Sequence, residues 1–437
     1  MAARDATADL LGCYDAALAA ADPARAVHDG LTAREVALEL GRDRPHWIIA
    51  LGKAAPAMAG AALSRCASEG LTVAGGLVIG VGPEPAAFTL RTIESLVGDH
   101  PVPGVRSAYA AERVGALIER IGHDDVVLLL ISGGTSSLIG APIPGVREED
   151  LAALHALLLG AGVPIGRINA VRKRFSRWGA GRLAAALECG RIIPILLADV
   201  PNEDPSMIGS GPVSPDPLVA WHVERILRDA GIAVHVPLSI ASTLGAMRAG
   251  IVAETPKAGS PAFARVEEPF VVGNTAALDG AAARAAELGY DPILLSRTSL
   301  TGDATAAGRV LAHTLARAAP GTCLIWGGET TVRLPADHGL GGRCQQLALA
   351  AAETIDDLGL ADAWILAAGS DGRDGPAPAS GALVHGTTWA VSASRAGDPA
   401  RALRRCDAYG ALAAADALLP MRDTGTNVMD IVVAIRG

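Results

Sequence analysis

Short apolar runs alternate with alanine-rich stretches along almost the whole chain, and few folds satisfy that alternation apart from layers of helices on a parallel sheet. In the first half the runs "HWIIALG" (46–52), "VAGGLVIG" (73–80), "RTIESLVG" (91–98), "VVLLLIS" (126–132) and "IIPILLADV" (192–200) read as strands. Most are apolar throughout rather than alternating, as strands buried on both faces must be. Stretches such as "SAYAAERVGALIERI" (107–121) supply the helices between them. After about residue 235 the texture changes: "AETPKAGSPAFARVEEP" (253–269) reads as a connection between bodies. A new βαβ unit opens at 270–295, with Asn274 or Thr275 placed to cap its helix. Further strands are expected at 323–328, 363–372, 381–386 and 430–437.

At 437 residues the chain exceeds one compact core. The expectation is α/β with two domains: an N-terminal Rossmann-like parallel-sheet domain over 1–236, a C-terminal α/β domain with a mixed sheet over 237–437, and a cleft between them. Half the residues are hydrophobic and 19% are charged, which excludes a disordered chain. Aromatics at 3% and a net charge of −9 argue against nucleic acid as a partner. Six scattered cysteines without a C-x-x-C pair argue against a zinc ribbon or disulfide framework and suit a reducing compartment. The N-terminal stretch carries Arg4, Asp5, Asp9 and Asp15 among apolar positions and reads as an amphipathic helix, not a signal peptide. No uncharged run reaches the ~20 residues of a membrane span, so a cytoplasmic protein is expected, monomeric or homodimeric.

In open parallel sheets ligands gather beyond the carboxyl ends of strands, and five strand ends here carry polar or glycine-rich turns. Lys53, in "IIALGKAAPAMAG", places a cation just before a helix, where anions are favoured. The loop Ser132–Gly133–Gly134–Thr135–Ser136, in "LLLISGGTSSL", offers amides and hydroxyls for an anion nest, although a tight turn alone explains its glycines. It lacks the lysine of a P-loop. Asp199 ends a strand and is followed by Glu203, Asp204 and a second Ser/Gly turn at 209–211; a carboxylate there suits Mg2+. Glu329 lies in "WGGETT", and Arg343 opens a helix after a glycine-rich loop, like arginines that stabilise phosphoryl transfer by roughly a thousand-fold. Asp371 and Asp374 sit among glycines in "AAGSDGRDGPAPASGA". The segment 167–182 carries Arg167, Arg172, Lys173, Arg174, Arg177 and Arg182 without an acid, and is expected to pair with acids nearby or to line an anionic cleft.

The order of these pieces resembles the class II glycerate 2-kinases, whose C-terminal half is called the MOFRL domain. "GKAAPAMA", "GDHPVPG", "LLLISGGTSSL", "LADVPNEDPSMIGSGPVSPDP", "WGGETTV", "GGRCQQLALA", "AAGSDGRDGPA" and "TGTNVMDI" carry the resemblance, which runs from about residue 8 to residue 434. It implies two α/β domains with the active site between them, and ATP-dependent, Mg2+-assisted phosphorylation of D-glycerate to 2-phosphoglycerate. It places family site residues on Lys53, Asp199, Glu329, Arg343, Asp371 and Asn427. Lys53 and Arg343 would then neutralise charge on the transferred phosphoryl group. Asp199 would handle Mg2+ or the attacking hydroxyl, Asp371 would be the other candidate base, and Glu329 and Asn427 would orient substrate or nucleotide.

The chain departs from the family where Thr135 replaces a glycine, where Cys344 and Gln346 replace Asn and Glu, and where Gly104 replaces an Asp. Thr135 would add a methyl and a hydroxyl inside the nest, and Cys344 and Gln346 would alter pocket polarity, so another hydroxy acid or a polyol is an alternative acceptor. A hydroxypyruvate reductase would need a dinucleotide fingerprint, and "IGVGPEPAAF" (79–88) offers only Gly80 and Gly82 before prolines. A non-catalytic nucleotide-binding descendant is the third alternative.

Overall fold

The structure is a computed structural model and describes residues 5–35, 41–82, 88 and 91–437, the side chains of 296–299 excepted. By contacts the chain divides into two units. One comprises Met1–Arg25, Ala198–Glu203 and Val272–Gly437; the other comprises Ala26–Leu197 and Asp204–Val271. The sequence suggested a single cut after residue 236, whereas the chain changes unit four times.

Two local causes account for this. The helix Ala6–Ala20 turns Leu10, Cys13, Tyr14 and Ala17 inward, and the Tyr14 hydroxyl donates to the Gly369 carbonyl at 2.7 Å. Asp9 accepts from the Tyr290 hydroxyl and Ala21 O accepts from Thr426 Oγ1, so this helix belongs with the C-terminal sheet. The stretch expected to link two bodies instead returns to the first sheet: Glu267 N donates to Ile192 O at 2.9 Å, and Arg191 is ion-paired to Glu267.

In the unit Ala26–Leu197/Asp204–Val271 the sheet is built from β1 (His46–Leu51), β2 (Val73–Gly80), β3 (Ile93–Val97), β4 (Val126–Ile131), β5 (Arg191–Leu197) and β6 (Phe270–Val272), in the order β3-β2-β1-β4-β5-β6. The pairs β1–β2, β1–β4, β2–β3 and β4–β5 are parallel. This is the Rossmann order, and the expected parallel-sheet domain is present. Every residue of β1 and β4 is buried, which is why neither sequence alternates. After β3 the chain crosses over β1 to reach β4, so the ends of β1 and β4 flank the topological switch point.

A helical satellite joins the same unit, with a core of Leu154, Leu158, Ile168, Phe175, Val223, Ile240, Leu244 and neighbours. The basic segment is anchored here. Arg174 is fully buried, paired to Asp216 at 3.0 Å and to Glu254. Of the two roles open to that segment, pairing with acids holds for Arg174.

The other unit carries the mixed sheet, in the order β11 (Leu418–Pro420), β10 (Ala379–His385), β9 (Ala363–Gly369), β12 (Asp430–Arg436), β8 (Thr322–Gly328) and β7 (Asp291–Leu300). Strand β12 runs antiparallel to both neighbours, with Asp430 in register with Gly328 of β8 and Gly369 of β9. The turns leaving β8 and β9 and the residues entering β12 therefore share one edge of the sheet. Asn274, expected as a helix cap, is buried, and its amide donates to the carbonyls of Val428 and Asp430. The amide of Thr275 is taken by Glu203 at 2.7 Å instead, so Glu203 is a capping residue. Among the described residues no helix is long and apolar enough to cross a membrane.

Candidate active site

At the switch point the loops after β1 and β4 lock onto each other. Lys53 N donates to Gly133 O at 2.9 Å, and Ala54 N donates to Ser132 Oγ at 3.0 Å. Gly52 has φ +122, and a Cβ there would lie 2.2 Å from Ser132 Oγ, so only glycine admits this approach. The contacts hold Ser132 inward. Among the described residues the amides of Gly133, Gly134, Thr135 and Ser136 donate to no protein acceptor. Consecutive amides left open in a turn form an anion nest.

Lys53 is exposed and forms no ion pair among the described residues. Its stem passes over Gly134, where φ is +89 and an added Cβ would lie 3.3 Å from Lys53 Cγ and 3.2 Å from His100 Cδ2. His100 was not singled out in the sequence. Its position inside "GDHPVPG" was the available signal. Partial burial first, and the charge of Lys53 second, lower its pKa, which favours the neutral imidazole. An open cavity of about 530 Å³ lies beside it, lined by Asp99, His100, Pro101, Val102, Gly104, Val105 and Arg106.

One expectation about this loop changes. Thr135 is fully buried, and its hydroxyl reaches the carbonyls of Leu51 (2.9 Å) and Ser132 (2.8 Å). It therefore braces β1 against β4 and adds no hydroxyl to the nest; only its amide remains there. The turn 209–211 packs onto the loop, with Ser136 Oγ and Ser210 Oγ 2.7 Å apart. Ser210 holds φ 68 and Ala180, beside it, φ 53, a grouping of left-handed non-glycine residues. Ala180 N donates to Ser210 O, which ties the basic segment to that turn. Asp204 serves its own turn, accepting from Ser206 N and Ser206 Oγ.

The second cluster lies on the shared edge of the mixed sheet. Arg343 Nε and Nη2 donate to the two carboxylate oxygens of Asp430 at 2.6 and 2.9 Å, and Nη1 pairs with Glu329 at 2.8 Å. Burial alone would lower the Arg343 pKa, but Asp430 and Glu329 hold it above its ordinary range. Asp430, absent from the sequence expectations, is fully buried. Burial pushes its carboxyl up to about 6 despite the opposing pull of Arg343. The available signal was an acid opening an otherwise apolar strand, since buried acids are almost always paired.

Asp371 lies two residues past β9 and accepts from Arg373 N at 3.0 Å; Asn427 lies three residues before β12 and accepts from Met429 N. Asp374 is buried and caps the helix Arg343–Asp357, accepting from Cys344 N (3.0 Å) and Gln345 N (2.8 Å). Cys344 and Gln346 flank Arg343 in sequence but point into the core, with Gln346 bound to Thr305 Oγ1 and Leu403 O. Gln346 thus adds no polarity beside Arg343, whereas the buried Cys344 thiol is hydrogen-bonded to the Asp430 carboxylate that Arg343 grips. Asp199 is partly buried, two residues past β5. Among the described residues no group of three or more His, Cys, Asp or Glu is arranged to hold a metal ion.

The structure thus brings Lys53 and Ser132–Ser136 together in one unit and Glu329 and Arg343 together in the other. Two family models match the chain: a domain of unknown function, DUF4147, over residues 9–245, and the MOFRL family over residues 322–430. A glycerate 2-kinase of Pyrococcus horikoshii is 33% identical over 96% of this chain and 94% of its own. The chain belongs to the glycerate kinase family. The crystal structure of a glycerate kinase from Thermotoga maritima superposes with a TM-score of 0.85 at 31% identity, covering 99% of this chain and 100% of that one. A protein of Agrobacterium vitis whose provisional name is hydroxypyruvate reductase is 35% identical over 97% of this chain and 93% of its own.

Proposed function

We propose that this chain transfers a phosphoryl group from ATP to a hydroxyl of a small hydroxy acid, with D-glycerate and its 2-hydroxyl as the first assignment. One observation carries the reading: at the switch point of a Rossmann sheet the amides of Gly133 to Ser136 lie open beside Lys53, all of them without a protein partner among the described residues. Such a nest suits phosphate oxygens, and Lys53 adds the point charge that the loop lacks. Arg343 supplies directed N–H donors for charge that develops on the transferred group. Asp199 is the first candidate to hold Mg2+ and Asp371 the second. Both are hard oxygen donors, and Mg2+ takes one or two carboxylates beside phosphate oxygens. Bound there, the ion would supply charge neutralisation. Whichever of the two carboxylates does not hold it takes the proton of the attacking hydroxyl, and Asn427 orients substrate or nucleotide.

Reduction of hydroxypyruvate, suggested by the name of one relative, finds no support at the site. A dinucleotide fingerprint starting at Gly52 would need a glycine at position 54, which is alanine. The test is coupled ADP release with D-glycerate, erythronate, threonate and tartronate, with and without Mg2+, and phosphorus NMR to distinguish 2- from 3-phosphoglycerate. Mg2+-dependent ADP formation with D-glycerate and a 2-phosphoglycerate signal are expected. NADH oxidation by hydroxypyruvate without ADP formation overturns the proposal.

A further inference from the structure

Arg343 is not a free cation. Three of its nitrogens are engaged, and with both partners ionised the group of Arg343, Asp430 and Glu329 carries a net charge of −1. An incoming oxyanion would be repelled by that surplus unless one carboxylate gives way.

The two carboxylates are not equivalent. The Asp430 side chain is 2% exposed and binds the guanidinium edge through both oxygens, the arrangement that gives ion pairs most geometric specificity. Its backbone is clamped: β12 pairs with β8 and β9 on either side, and Asn274 donates to the Asp430 carbonyl at 3.1 Å. Met429, immediately before it, holds a left-handed φ of 70 that only a well-determined surrounding would sustain. Glu329, by contrast, sits one residue beyond β8, is 44% exposed, and is held to Arg343 through Nη1 alone. A single exposed pair of this kind contributes little and exchanges readily.

We infer that Asp430 is a positioning residue, fixing one edge of the Arg343 guanidinium so that Glu329 is the partner an arriving oxyanion displaces. Losing Glu329 removes the surplus negative charge and frees Nη1, while the bidentate bond to Asp430 keeps the guanidinium plane in place. This deepens the proposed phosphoryl transfer and rests on Arg343 acting in it.

The experiment combines kinetics with chemical rescue in the full-length protein. Asp430→Asn is expected to lower kcat by about a hundred-fold or more, a loss typical of a misplaced charge-stabilising group, with the KM values for ATP and D-glycerate within about three-fold of the parent. Added guanidinium chloride should restore part of the turnover of Arg343→Ala, but not that of Arg343→Ala/Asp430→Asn, which lacks the carboxylate to seat it. Glu329→Gln should tighten one anionic substrate several-fold, because the internal competitor has lost its charge. Asp430→Asn turnover within three-fold of the parent, or equal rescue of single and double variants, overturns the inference. Should Asp430→Asn not fold, as judged by circular dichroism, Glu329→Gln decides: tighter binding supports the inference and weaker or unchanged binding overturns it. Failures of the underlying reading look different. A parent that forms no ADP sinks the reaction, and Arg343→Ala at full rate sinks the role of Arg343.

Discussion

The turn after β4 and the turn that starts the helix Arg343–Asp357 both present consecutive backbone amides, but only one has them filled. In the second, the carboxylate of Asp374 takes the amides of Cys344 and Gln345, and Gln345 Nε2 adds a third bond at 3.0 Å. In the first, the amides of Gly133 to Ser136 meet no acceptor among the described residues. The cations differ in the same sense: Lys53 is exposed and unpaired among the described residues, whereas Arg343 is braced by two carboxylates. A closed turn with a braced cation suits a fixed donor array, and an open turn with a free cation suits a ligand that brings its own charge. Amides without a protein partner are met by water or by a ligand, so the open turn is the one whose chemistry a ligand completes.

The largest test of this contrast exchanges the cations. Arg343→Lys should lose nearly as much kcat as Arg343→Ala, about a thousand-fold, because an ammonium cannot make the bidentate bond to Asp430 and still direct a donor outward. Lys53→Arg should keep more activity than Lys53→Ala, since a point charge over an open nest tolerates a change of shape. Steady-state ADP release reads both pairs. A conservative exchange that is equally tolerated, or equally ruinous, at both positions removes the distinction between braced and free cations.

A smaller effect is expected from opening the closed turn. Asp374→Ala strands two buried amides and a glutamine donor, and should cost about 2 kcal/mol in urea unfolding. Inorganic phosphate should return part of that loss, because the vacated turn becomes a second nest. The parent should also gain from phosphate, through Gly133–Ser136, and Lys53→Ala should gain less. A variant with parent stability, or no phosphate effect in any of the three proteins, contradicts the account of both turns.

Much of this was legible in the residues, and the exceptions share a cause. Strand β2 falls at 73–80 as read, because a fully apolar run bounded by turn residues has few alternatives. Lys53 and the Ser132–Ser136 loop stood out because strand ends in parallel sheets are the expected ligand sites. What failed was the direction of side chains one residue away. Thr135 turns into the sheet rather than into the nest, and Gln346 turns into a helix core, because helical and loop geometry sets direction beyond sequence spacing. Glu203 and Asp374 read as members of acidic loops, yet each caps a helix distant in sequence or across a turn, which composition cannot show. The three-residue strand β11 was missed for lack of length.

The last contrast is in pH, where the two units should respond with opposite sign. Burial raises the Asp430 carboxyl from the ordinary 3.8 to about 6 in the folded chain. Between those values the folded state holds a proton that the unfolded state has released. Asp430 therefore contributes stability that is present below about 3.8 and is lost as pH rises through about 6. Asp99, in the other unit, runs the other way. The Arg106 side-chain hydrogen bond lowers its carboxyl, with help from the amides of Ser107 and Arg106, so its contribution is present at higher pH and is lost as pH falls. Urea midpoints measured from about pH 7 to about pH 2.5 for the parent, Asp430→Asn and Asp99→Asn isolate each residue as a difference between curves, because the Asp99 contribution is lost only below about pH 3.8. The Asp430→Asn curve should fall relative to the parent on acidification, and the Asp99→Asn curve should rise toward it. Curves displaced in the same direction would mean that Asp430 is held ionised by Arg343 in the folded chain, so that attraction to the guanidinium, not burial, sets its charge.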